Sequence, residues 1–203
     1  RAGVERRPIR RDRRRLRLRT RNRLRRGEAD PGQPGSREEQ PYGGPAIKLG
    51  DGNKVSEILV RQSTLDSDDP YALIQEVIGF INVLREQGRF SFDEEPGNAQ
   101  AAYYVDYYRA QVANGGHAQY IYNSGWNQMT VEPCHAGFEI LAIEPFTGIF
   151  AQLSALMSDK AFAKTHTADF SPGDDGLEAL DSAFFKADRD NQLVDACTDW
   201  LRG

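Results

Sequence analysis

The most restrictive feature of this chain is an apolar stripe bounded at both ends by helix signals. Leu73, Ile74, Val77, Ile78, Ile81 and Leu84 recur at steps of three and four residues, which places them along one side of an α-helix and on both sides of a strand. Asp68, Asp69 and Pro70 stand just before it; an Asp side chain accepts from free first-turn amides, and proline's fixed φ suits that turn. Gly88 follows, a residue that tolerates the left-handed geometry of a helix end. The same period returns in Ala101, Tyr104, Val105, Tyr108 and Val112 and is stopped at Asn114, Gly115 and Gly116. His117 to Asn123 reads as a short helix closed by Ser124 and Gly125.

Further along, Thr130 is the expected cap of a helix that buries Phe138, Leu141 and Ala142. Pro145 should break it before Ile149, Phe150, Leu153 and Leu156, giving two helices or one kinked helix. Residues 159 to 173 read as a loop. Asp174 and Asp175 should cap a helix carrying Leu177, Leu180 and Phe184, and Leu193, Val194, Cys197, Trp200 and Leu201 define a last one. Strand alternation is best at Ile58 to Val60, too short to found a sheet. The expected class is all-α, a single compact domain of about six or seven helices.

Charge divides the chain. Residues 1–40 hold 15 Arg, no Lys and 6 acidic residues, for a net of +9, whereas residues 41–203 hold 11 basic and 24 acidic residues, for a net of −13. We read residues 1–46 as a disordered Arg-rich arm followed by a Pro/Gly linker, because repelling charges with few apolar residues cannot form a core. Arg without Lys, and a start without Met, also fit upstream sequence read through or out of frame. Residues 47–203 form the acidic domain. Candidate acids for a partner surface are Asp93, Glu94 and Glu95, and then Asp174, Asp175 and Glu178; further acids stand at Asp66, Asp68, Asp69, Asp188, Asp190, Asp195 and Asp199. Such a surface would attract basic partners and repel DNA itself.

Several chemistries find no pattern. Apolar runs such as Ile140 to Ile143 fall far short of the ~20 residues that span a bilayer, so no membrane association is expected and a cytoplasmic location is. Cys134 and Cys197 form no C-x-x-C pair and read as buried thiols. Cys134 and His135 are adjacent, which points their side chains about 100° apart on a helix and argues against a nucleophile–base pair. His117, His135 and His166 have no metal-ligand spacing, and no glycine precedes a phosphate-binding arrangement. We expect no catalytic residues, no metal and no cofactor.

Tyr103 to Trp126 carries six tyrosines in 24 residues. Tyr104 and Tyr108 are expected to face the core with their hydroxyls reaching its rim, while Asn114-Gly115-Gly116 forms a left-handed turn between closely crossing helices. Gln119 and Asn123 share a helix face beside that turn, where with Asn114 they could line a polar pocket or an interface. The run V-A-N-G-G-x-x-Q-Y-x-x-N-S-G, Val112 to Gly125, resembles the signature of a bacterial family of acidic helical domains named for a DNA-mimic protein. The ending from Leu180 through Trp200 resembles that family's closing helices, so the likeness covers residues 70 to 202. It implies an all-α domain with Asn114, Gly115, Gly116, Gln119 and Asn123 as family positions; His117 stands where the family has an aromatic or aliphatic residue. It further implies a non-enzymatic protein whose carboxylates stand in for DNA phosphates and occupy the basic face of a DNA-binding protein. An immunity-type domain neutralising a single partner is the alternative, an uncharacterised enzyme the third reading, and self-association into a homodimer stays open.

Overall fold

The computed structural model describes residues 17–20, 55, 57–170 and 173–203. Its first long helix follows from the signals above. Asp69 accepts from the Tyr71 amide at 2.9 Å, Pro70 opens the first turn, and Leu73, Ile74, Val77, Ile81 and Leu84 are buried. This helix is α2, Pro70–Glu86, preceded by the single turn α1, Gln62–Leu65. Its end differs from expectation: Arg89 rather than Gly88 takes the positive φ, 53°, as the Phe90 amide reaches back to the Leu84 carbonyl at 3.0 Å. The remaining helices are α3, Gly97–Ser124; α4, Gln128–Leu141; α5, Phe146–Met157; α6, Lys160–Ala168; α7, Asp175–Ala187; and α8, Gln192–Arg202.

Eight helices among the described residues make the protein all-α. The additions to the expected six or seven are the short α1 and α6. Residues 159 to 173 are therefore not simply a loop. Asp159 accepts from the amides of Ala161 and Phe162, and Phe162 stacks on His166 one turn later at 3.9 Å, a local nucleus with little apolar period to betray it. The cap of α4 is Asn127, which accepts from the Thr130 amide at 3.1 Å; Thr130 lies inside the first turn. Pro145 separates α4 from α5 as expected.

Extended structure among the described residues is one ribbon. β1, Arg17–Thr20, pairs in parallel with β2, Glu57–Val60, from Arg17 opposite Glu57 to Thr20 opposite Val60. Ile58 to Val60 is thus a strand after all, because Ile58 and Val60 are driven into the core beneath it. The rest of residues 1–46, and the domain start at 47, lie outside the described residues.

Two apolar clusters hold the helices together, and α3 runs through both. The first packs Ile58 and Val60 with Leu73, Val77 and Ile81 of α2, Ala99 and Ala102 of α3, and Val194, Cys197 and Leu201 of α8. The second is aromatic and centres on Tyr108, which is fully buried. Its ring meets Tyr120, Phe138, Phe150 and Phe184 edge to face, at centroid distances of 5.0, 5.3, 5.4 and 5.8 Å. Each such contact is worth about 0.5–1.5 kcal/mol beyond the area it buries. The tyrosine density of α3 is therefore chiefly a packing device.

α3 is a single element only in sequence. Gln111 and Asn123 would stand about 18 Å apart along a straight helix, yet the Asn123 side-chain amide donates to Gln111 Oε1 at 2.6 Å. The helix is broken at Gly115, with φ −156° and ψ 27°, and at Gly116, with φ 73° and ψ −177°, and its second arm folds back on the first. Gly116 alone needs glycine's conformational freedom, since positive φ with extended ψ is strained for residues bearing a Cβ.

Candidate partner surface

The glycine break lies within the Val112–Gly125 run, and its interior is a hydrogen-bonded chain. His117, fully buried, donates its backbone N–H to Asp181 Oδ1 at 2.7 Å and presents Nδ1 to the same oxygen at 2.5 Å. A carboxylate accepts, so Nδ1 carries a hydrogen, and Nε2 pairs with the Tyr108 hydroxyl at 2.8 Å. Tyr108 thus ends inside the protein against His117, not at the rim of the core. This chain is how a fully buried histidine finds its polar partners. Outside the break, Asn114 donates to Gln119 Oε1 at 3.1 Å, and the amides of Gln119 and Asn123 converge on Gln111 Oε1. The four amides brace the two arms against each other.

Of the first acidic trio, only Asp93 is free on the surface. Glu94 closes a capping box, its carboxylate accepting from the Ser91 amide and hydroxyl at 2.8 Å each, which holds its carboxyl below the usual range. Glu95 is 5% exposed and turned inward against Arg85, whose Nε and Nη2 donate to its two oxygens at 2.6 and 2.9 Å. Placing Glu95 on a partner surface is therefore corrected. The Arg85 guanidinium draws it in: it lies 4.6 Å from the Tyr103 ring centroid, and the carboxylate completes that stack.

The second trio divides differently. Asp174 is the cap of α7, accepting from the Gly176 and Leu177 amides. Asp175 and Glu178 are exposed, because Leu177, Leu180 and Phe184 turn the opposite side of α7 into the core. On α8, burial of Leu193, Val194, Cys197 and Leu201 leaves Asp195 and Asp199 exposed at i and i+4, about 5–6 Å apart at their Cβ atoms. Asp188, between the two helices, is structural: it pairs with Arg109 at 2.9 Å and accepts from the Leu193 amide at 3.0 Å.

Sequence reading passed over another acidic stretch. Residues 110 to 159 contain no Lys or Arg, and within them Glu132, Glu139 and Glu144 are exposed. The signal lay in the absence of basic residues, which a search for acidic clusters does not register. Residues 93–203 together hold 17 acidic and 6 basic residues, a net of −11.

One buried carboxylate is not on this surface. Asp106, 8% exposed between α2, α3 and α8, accepts from the Tyr71 hydroxyl at 3.2 Å through Oδ2, while Oδ1 has no hydrogen-bond partner. Ile74, Val105, Arg109, Leu193, Val194 and Cys197 surround the cleft beside it. Burial pushes its carboxyl up, against the opposing pull of Tyr71 and Arg109. The folded state therefore holds this proton more tightly than the unfolded chain does. Its stabilising contribution is complete below the unfolded carboxylate value of about 3.9 and is lost as pH rises through the raised folded value. Asp106→Asn should accordingly gain melting temperature relative to the parent as pH goes from 4 to 7; a constant difference across that range would show that Asp106 does not titrate there. Burial likewise pushes the Cys197 thiol up to about 12, with Asp106 adding to the effect.

Fold and surface define an all-helical domain with an acidic exterior. The chain belongs to the family of DMP19-like proteins, whose model matches residues 93–203, in keeping with the DNA-mimic resemblance of the Val112–Gly125 run. The match leaves out α2, although α2 shares a core with α3 and α8. No curated protein and no solved structure matches the chain. Among the described residues no helix is long and apolar enough to cross a membrane.

Proposed function

We propose that this domain is an acidic protein-binding module that occupies the basic face of a DNA-binding protein in place of DNA. The observation that carries the reading is the pairing of exposed carboxylates at helical steps, Asp175 with Glu178 on α7 and Asp195 with Asp199 on α8, in a member of the DMP19-like family. Helix spacing holds like charges close together in a fixed row, and a net of −11 over residues 93–203 extends their field. A basic protein surface shaped for phosphates meets in such rows the same sign of charge with no strand of nucleic acid present.

The test is displacement from immobilised DNA. Basic DNA-binding proteins of the source cell are loaded on DNA-cellulose at low salt and eluted with the full chain, or with the quadruple variant Asp175→Asn, Glu178→Gln, Asp195→Asn, Asp199→Asn. The parent should elute a discrete basic protein, and the variant should need about tenfold more protein to do so, a difference of ~1.4 kcal/mol. Raising salt should weaken the competition, because exposed charges are screened over ~8 Å at physiological ionic strength. If nothing is displaced at low salt, the DNA-mimic reading is wrong. A single partner held equally well in excess DNA would instead select the immunity-type alternative.

A further inference from the structure

α4 presents to the outside a side that no other described element covers. Met129 and Ile140 are 60% and 44% exposed, and Ala136 lies between them and is also exposed. Steps of seven and four residues set the three on one line along the helix, about 16 Å from end to end. Glu132 and Glu139, again seven apart and exposed, form a second line beside the first. Their neighbours are uncharged or weakly basic: Gln128 donates to Glu132, and His135 Nδ1 lies 3.7 Å from Glu139.

The opposite side of α4 fixes this face in place. Pro133, Cys134, Gly137 and Phe138 are buried, and a Cβ on Gly137 would stand 2.6 Å from Val105 Cγ2 and 3.0 Å from the Ala101 carbonyl oxygen. The helix therefore rests directly on the backbone of α3. The apolar line is displayed on a rigid support, not on a segment free to fold it away.

We propose that this face of α4 docks a basic amphipathic helix, one that sets Leu or Ile beside Lys or Arg at i and i+4. The inference rests on the reading of the domain as a binder of basic proteins, and gives that binder an apolar anchor. Charge complementarity selects the occupant. A second copy would bring Glu132 and Glu139 against their own counterparts, and α4 contributes no Lys or Arg to offset them. A basic helix satisfies both lines at once, its apolar residues covering Met129, Ala136 and Ile140 and its cations meeting the two carboxylates. Methionine, unbranched and polarizable, suits a surface that accommodates such a partner. The two lines also differ in salt response: screening weakens the carboxylate contacts but not the burial of apolar surface.

The test uses the full chain and a fluorophore-labelled Leu/Lys amphipathic peptide of about 18 residues, long enough to cover the face. Fluorescence anisotropy is read at low and at physiological salt, and far-UV circular dichroism checks each variant's fold. Met129→Ser with Ile140→Ser, and Glu132→Gln with Glu139→Gln, should each weaken binding about tenfold. The loss from the apolar pair should persist at physiological salt, whereas the loss from the glutamate pair should shrink. The α7/α8 quadruple variant should bind the peptide within about twofold of the parent. Unchanged affinity in both α4 variants, or an equal loss in the α7/α8 variant, overturns the proposal. So does sedimentation that shows a dimer dissociated by Met129→Ser with Ile140→Ser, which would make a second copy the occupant. Peptide binding through α4 without displacement from DNA would refute mimicry and leave the docking face standing.

Discussion

Gly116→Val is expected to lower stability by about 2–4 kcal/mol, adding the strain of a β-branched residue at positive φ to damage at the Asp181 contact. Gly116 has φ 73° and ψ −177°, and a Cβ built there would lie 2.4 Å from Asp181 Oδ2. Asp181 cannot step aside freely, since its other oxygen receives both the backbone and the ring N–H of the fully buried His117. Gly115 is the internal control. Its φ is −156°, within reach of any residue, and the atom a Cβ would meet first is the end of the flexible Gln119 side chain at 2.2 Å. Gly115→Ala should therefore cost less than half as much. Urea midpoints measure both, and equal losses at the two positions would sink the account of Gly116 as the one left-handed hinge.

Glu95→Lys is expected to be at least as damaging, with a loss of about 3–5 kcal/mol, the range for breaking a buried ion pair from one side. The Glu95 side chain has no exposure, and Arg85 grips both of its oxygens while lying against Tyr103 and Tyr104. A lysine there would add a second cation where a carboxylate neutralised the first. Asp93→Lys, two residues away on the surface, should shift the melting temperature little. The contrast bears on function, because a charge-reversal scan through residues 93–95 would lose activity through unfolding at Glu95 and could be mistaken for loss of a partner contact. Far-UV circular dichroism melts separate the two; if Glu95→Lys melts with the parent, the Arg85–Glu95 pair is not part of the structural core.

The helices most legible in the sequence are those whose order is local. α2, α7 and α8 show an apolar stripe, and for α2 and α7 a capping Asp stands in place, so each could be placed from residues within a few turns of one another. α6 escaped because its apolar residues are few and its nucleus is a Phe162–His166 stack within one turn. β2 was legible only as a short alternation at Ile58 to Val60, which acquires its meaning against Leu73, Val77 and Leu201. The motif at residues 112–125 was readable as a turn between crossing helices, but not as the site of the Tyr108–His117–Asp181 chain. That chain joins residues 64 positions apart, and no periodicity reports such a pairing.

The partner surface divides along the same line. Sequence alone determined the all-helical class, the acidic balance of the body and the requirement for glycine at the break, because propensity, net charge and backbone sterics act locally or in sum. Which carboxylates reach solvent was decided by tertiary structure. Glu95 and Asp93 are indistinguishable in a charge count, yet one completes a buried arginine stack and the other faces water. The same holds for Asp188 and Asp190: the first is held by Arg109 from 79 residues away, and the second is left exposed. A carboxylate's availability depends on whether a cation or amide from another element is brought within hydrogen-bonding reach, and only the packing of α2 beside Glu95 and of α3 beside Asp188 settles that.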